Sequence, residues 1–129
     1  MNHVVILDAV ANEIEYLLRG NKSMIIHGAD EMDIPYGKVG VGDVLYFVND
    51  TDHSEVKAKG VVSSVYNSCR LSSEESYEMI IRNQDKLWLP DDLFYKWVGK
   101  KYLVLIGLRD IEEVKFFLPN RNMLINGAA

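Results

Sequence analysis

The chain has 129 residues, of which 48% are hydrophobic and 26% charged, and a formal net charge of −5. That size and balance fit one domain that buries a working core without covalent staples. The single cysteine, Cys69, excludes an internal disulfide and a cysteine-built zinc site, and the acidic balance excludes the basic footprint of a protein that coats itself in nucleic acid. A local cationic cleft on an acidic surface stays compatible with this composition.

Residues 3–7, His-Val-Val-Ile-Leu, read as a short strand. The N-terminus has no cationic lead and Asp8 cuts its apolar run, so it lacks the pattern of a signal peptide and a cytoplasmic location is expected. The sequons at Asn21 and Asn49 are accordingly read as accidental. Asp8 is placed to cap a helix whose apolar positions Val10, Ile14, Leu17 and Leu18 fall at helical spacing. Arg19 suits its last turn and Gly20 its C-terminal stop. Residues 23–27 return as a strand, and residues 28–38 form a polar loop carrying the turn chemistry of Pro35-Tyr36-Gly37.

Gly40-Val41-Gly42-Asp43 is a glycine-flanked turn that feeds Val44-Leu45-Tyr46-Phe47-Val48, the run around which the other segments are expected to pair. A polar hairpin connection over 49–54 leads into a long strand over 56–66, with Lys57 and Lys59 alternating against Val56 and Ala58. Ser72 and Glu75 form a capping box, which opens a helix carrying Tyr77, Ile80 and Ile81 on one face. Pro90-Asp91-Asp92 starts a second helix with a stripe of Phe94, Trp97 and Val98, ended by Gly99. Residues 102–108 read as a strand covered on both faces, 112–118 as a last weaker strand, and 119–129 as a loose tail.

No repeat or linker divides residues 1–129, so one domain is expected. Strands and helices interleave without a strict βαβ rhythm, which predicts an α+β fold, a small mixed barrel with peripheral helices. Within it the strands over 43–48, 56–66 and 102–108 are expected to be neighbours.

His3, His27 and His53 have no second ligand at metal spacing. A calcium-loop opening at Asp50 fails at Glu55 and Val61, where that loop needs glycine and glutamate. With no phosphate-binding glycine loop, nucleophile elbow or dinucleotide fingerprint, no metal and no cofactor are expected. Glu75 is accounted for by its cap. Lys22, between a helix end and a strand, reads either as an anion anchor or as a solvated turn residue.

The order helix, Gly20-Asn21-Lys22-Ser23, strand, then Gly42-Asp43 opening an aromatic strand, resembles the ASCH branch of the PUA-like superfamily. The likeness continues through Val56-Lys57-Ala58 and Gly99-Lys100-Lys101-Tyr102 and is nearest to archaeal members with the same Met-Ile-Ile and Pro-Tyr-Gly pattern. The resemblance implies a small PUA-like β-barrel with a cleft beside the Gly-x-Lys-Ser motif, and RNA or a modified nucleobase as its ligand. It places Lys22 at the motif lysine, Ser23 at the following hydroxyl and His27 where many relatives have arginine. Tyr36, Lys38 and Lys57 complete the expected ligand-binding set, supplying stacking and phosphate contacts. One branch hydrolyses N4-acylated cytidine with a threonine three positions after the lysine. That position is Ile25 here, which cannot act as nucleophile or proton relay. Non-catalytic binding is therefore the expectation, with no membrane partner. A small amidohydrolase is the alternative, and an interaction subunit presenting Phe94 and Trp97 stands behind both.

Overall fold

The computed structural model describes residues 1–31 and 39–118, together with the backbone of the strand at 124–125. Strand β1 (Asn2–Leu7) leads to helix α1 (Glu13–Arg19), and strands β2 (Met24–Ala29), β3 (Val44–Asn49) and β4 (Glu55–Asn67) follow. Three short helices come next, α2 (Ser73–Arg82), α3 (Gln84–Leu87) and α4 (Asp91–Trp97), then the long strand β5 (Tyr102–Phe117) and β6 (Leu124–Ile125). The strands form one mixed sheet in the order β2-β5-β4-β3-β1-β6, curled into a half-barrel. β3, β4 and β5 are antiparallel neighbours, while β1 runs parallel to both β3 and β6.

Alternation along the strands sends successive residues to different cores. Val104, Ile106 and Leu108 of β5 join Ile25, Leu45, Phe47 and α1's Ile14 and Leu17 inside the half-barrel. Leu103 and Leu105 point the other way, onto Met24, Ile26 and the helical layer of Ile80, Leu87, Leu93 and Trp97. This two-sided burial explains why the sequence of β5 is apolar at every position there. Phe94 packs against the same helical core that buries Trp97, so the expected α4 stripe faces inward rather than toward a partner.

Two local expectations are corrected. Asp8 does not cap α1: its carboxylate accepts from the Ala11 N–H at 2.9 Å, folding 9–12 into turns that leave Val10 86% exposed. The helix starts instead after Asn12, which adopts the left-handed conformation with φ 54°. Residues 112–118 are not a separate strand; most of them form the far half of β5, which runs on past the left-handed Asp110 (φ 51°) and through shifts of register with β4. The expected tail lies outside the described residues except at Leu124–Ile125, whose backbone pairs with Val4 and Val5. The capping box at Ser72 is formed in full, with Ser72 Oγ accepting from Glu75 N–H at 3.1 Å and Glu75 accepting from Ser72 N–H at 2.9 Å.

Candidate functional site

Gly20 closes α1 with φ 83°, a conformation that suits a residue without Cβ. Lys22 N–H then donates to the Tyr16 carbonyl at 3.1 Å, so the chain doubles back under the helix. The Lys22 side chain is thereby driven inward and is only 1% exposed. Its ammonium donates to the Leu87 carbonyl and lies 3.2 Å from Glu13 Oε1. The second Glu13 oxygen accepts from the Asp8 N–H at 2.9 Å.

The Glu13–Lys22 contact is an ion pair, and the ammonium also donates to the Leu87 carbonyl. Burial pushes the Lys22 ammonium below its ordinary pKa and the Glu13 carboxyl above its own. Each partner pulls the other back toward the charged form. Neither charge is tolerable at this depth without the other.

The same stretch fixes a second element. Ser23 N–H donates to the Lys86 carbonyl at 2.9 Å, so Lys22 and Ser23 together hold the end of α3. Trp88 follows with φ 49° and ψ 49°, a left-handed backbone under a side chain 45% exposed, between the buried Leu87 and Leu89. That conformation costs a bulky residue about 1–2 kcal/mol, and the surroundings hold it in place. Gln84 clamps the turn, its amide donating to the Leu89 carbonyl at 2.7 Å and accepting from the Leu89 N–H at 3.3 Å. The Trp88 ring faces Tyr16 across a centroid distance of 6.4 Å and an interplanar angle of 59°. Between them opens a slot of about 430 Å³, lined by Tyr16, Gln84, Asp85, Trp88, Leu89 and Pro90.

A second cleft of about 570 Å³ lies between α1 and the strands, where Glu15, Glu55 and Glu113 face Lys57 and Lys115. Lys57 is paired there with Glu55 at 3.2 Å. Neither Lys22, Ser23 nor His27 lines this cleft. His27 sits on β2 with its ring 5.4 Å from that of Trp97. Gly28 beside it leaves the room that the Trp97 ring and the Lys100 stem occupy, since a Cβ there would meet both at 3.0 Å. Tyr36 and Lys38 lie outside the described residues. The structure thus joins Lys22 and Ser23 at the end of α3, where neither lines the slot, and puts Lys57 in another cleft. Among the described residues no group of three or more His, Cys, Asp or Glu could hold a metal ion. No helix among them is long and apolar enough to cross a membrane.

Glu13, Tyr16 and Trp88 are absent from the sequence-derived set. The signal available for Trp88 was an aromatic residue between two leucines, both buried in the structure, just before a helix-starting proline. Tyr16 and Glu13 carried no local signal, because their roles depend on how the chain turns at Gly20.

No protein-family model and no curated protein matches the chain. Among solved structures, the ASCH protein of Zymomonas mobilis aligns with a TM-score of 0.63 at 12% identity, over 87% of this chain and 69% of that one. A single-residue variant of that protein aligns with a TM-score of 0.64 at 10% identity, over 95% and 77% of the two chains. The hypothetical protein PH0355 aligns with a TM-score of 0.52 at 16% identity, over 88% of this chain and 100% of its own. At these identities the likeness is one of fold: the mixed half-barrel with four short helices is the ASCH-type, PUA-like α+β fold.

Proposed function

We propose that this protein binds RNA or a modified nucleobase without turning it over, in the slot between Tyr16 and Trp88 beside Gly20-Asn21-Lys22-Ser23. The observation that carries the reading is the strained, half-exposed Trp88 held opposite Tyr16. An indole kept in a left-handed turn by Lys22 and Gln84 is a preorganised stacking surface, and a base stacked on it is worth about 1–3 kcal/mol. The ASCH-type fold, associated in general with RNA binding, agrees with this reading. Lys22 enters as the residue that positions the Trp88 turn through the Leu87 carbonyl, rather than as a phosphate contact. His27, Tyr36, Lys38 and Lys57 are the candidate contacts of a strand extending beyond the slot.

Binding without turnover is supported by the state of the motif. The Lys22 ammonium is committed to Glu13 and Leu87, and Ile25 is 1% exposed inside the half-barrel core. Hydrolysis of an acylated amine needs an accessible nucleophile or activated water and a donor for the oxyanion. Neither side chain reaches a substrate from where it lies.

The test is a titration of labelled single-stranded RNA and of nucleosides against wild type, Tyr16→Ala and Trp88→Ala. Each variant is expected to weaken binding about 5- to 150-fold, the factor that one lost stack represents. Unchanged affinity in both variants overturns the site. Release of acetate from N4-acetylcytidine by the wild type, lost in a folded Lys22 variant, overturns the non-catalytic reading.

A further inference from the structure

The lining of the slot contains no lysine or arginine and one carboxylate, that of Asp85. A phosphate gains nothing from such a lining, whereas a positively charged ring gains twice. Aromatic faces carry the negative side of the ring quadrupole, and they attract a cation that has shed its water. The carboxylate adds a charge of the right sign and accepts hydrogen bonds without being able to donate when ionised.

Geometry narrows the ligand further. Face-to-face stacking of a neutral base on both rings would need them parallel and about 7 Å apart, two ordinary contact distances. Tyr16 and Trp88 are instead tilted by 59° at 6.4 Å, a wedge in which a ligand lies flat on one ring and turns its edge to the face of the other. An edge that carries positive charge makes that second contact attractive. The Gln84 amide is oriented by the Leu89 backbone, to which it gives one N–H and from which its oxygen accepts. The Asp85 carboxylate is the charged group in the lining, and it favours positive charge and N–H donors.

We propose that the slot selects a positively charged, ring-N-methylated nucleobase over a neutral one; this rests on the nucleobase reading of the slot and names its ligand class. A flat delocalised cation suits the site better than the compact ammonium head of a methylated lysine. The compact head is held by walls on several sides, while this slot offers two aromatic walls and about 430 Å³ of open volume, room for a bicyclic base.

Two isomers isolate the charge: 1-methyladenosine is a cation at neutral pH, and N6-methyladenosine carries the same methyl group without charge. Calorimetric titration of the full chain is expected to show 1-methyladenosine bound about 5- to 30-fold more tightly, the span of a desolvated cation–π contact. Asp85→Asn is expected to shrink that preference, and Tyr16→Ala to weaken both. Equal affinity for the two isomers, with both weakened by Tyr16→Ala, overturns the charge selection and leaves the nucleobase reading standing. Failure of both nucleosides and of single-stranded RNA to bind overturns the two together. Tighter binding of free trimethyllysine than of 1-methyladenosine overturns the assignment to a base.

Discussion

Lys22 Nζ stands 3.2 Å from Glu13 Oε1 with neither side chain more than 2% exposed, so the lysine of the motif is a strut of the core. Removing one partner leaves the other charge buried without compensation, at a cost of about 3–5 kcal/mol. Lys22→Met and Glu13→Leu are each expected to lower the unfolding free energy by that much, as read from urea unfolding. The pair Lys22→Met with Glu13→Leu, which replaces both charges by apolar groups, is expected to cost far less than the sum. Additive costs in this cycle would show that the two side chains do not depend on each other.

Trp88 is held against its backbone preference, and releasing it separates stability from binding. Trp88→Gly removes a left-handed penalty of about 1–2 kcal/mol and forfeits the packing of a ring that is already half in water. The melting temperature is expected to hold or rise while affinity for RNA falls. A substantial drop in melting temperature would mean that the ring serves the core and that no strain is stored for a ligand.

Much of the fold was legible because its elements declare themselves locally. The apolar runs of β3, β4 and β5 lie between turn residues and pair as neighbours, and the Ser72 cap is written in two side chains three residues apart. The candidate site was not legible in the same way. Whether Lys22 points to water or inward depends on Gly20 and on its own N–H reaching the Tyr16 carbonyl, and its counter-charge Glu13 was hidden by a helix start read too early at Asp8. Trp88 drew no reading from the sequence because propensity gives no hint of a left-handed backbone at tryptophan. β5 seemed to end at Leu108 because the pattern breaks at Asp110, where a positive φ lets the strand continue with an exposed, polar course.

Ser72→Ala tests how far α2 depends on its own signal. The substitution removes the acceptor for the Glu75 N–H at the start of the helix whose Ile80 is fully buried. A loss of about 1 kcal/mol is expected, read as a shift in urea midpoint without a change in slope. Because α2 carries neither wall of the Tyr16–Trp88 slot, RNA affinity of the folded variant is expected to match wild type.

Asp43 ties the turn before β3 to the first strand. One carboxylate oxygen accepts from the Gly40 N–H at 2.9 Å and meets His3 Nε2 at 3.0 Å, and the other accepts from the N-terminal ammonium at 3.1 Å. The Gly40 N–H first, then His3 and the terminal ammonium, hold this carboxyl well below its ordinary value of 3.8. Between the folded and unfolded pKa values the unfolded chain binds more protons, so stability rises with pH across that acid window and levels off above it. The contribution of Asp43 is therefore complete near neutrality and drains as pH falls below about 4. Asp43→Asn keeps one acceptor for Gly40 but no charge for the other two donors. The variant is expected to be less stable than wild type at neutral pH, with the gap closing as acid protonates the wild-type carboxyl. Urea midpoints taken stepwise into acid decide it: a gap that stays constant down to about pH 2 would mean that the loss at Asp43 is one of shape, not of charge.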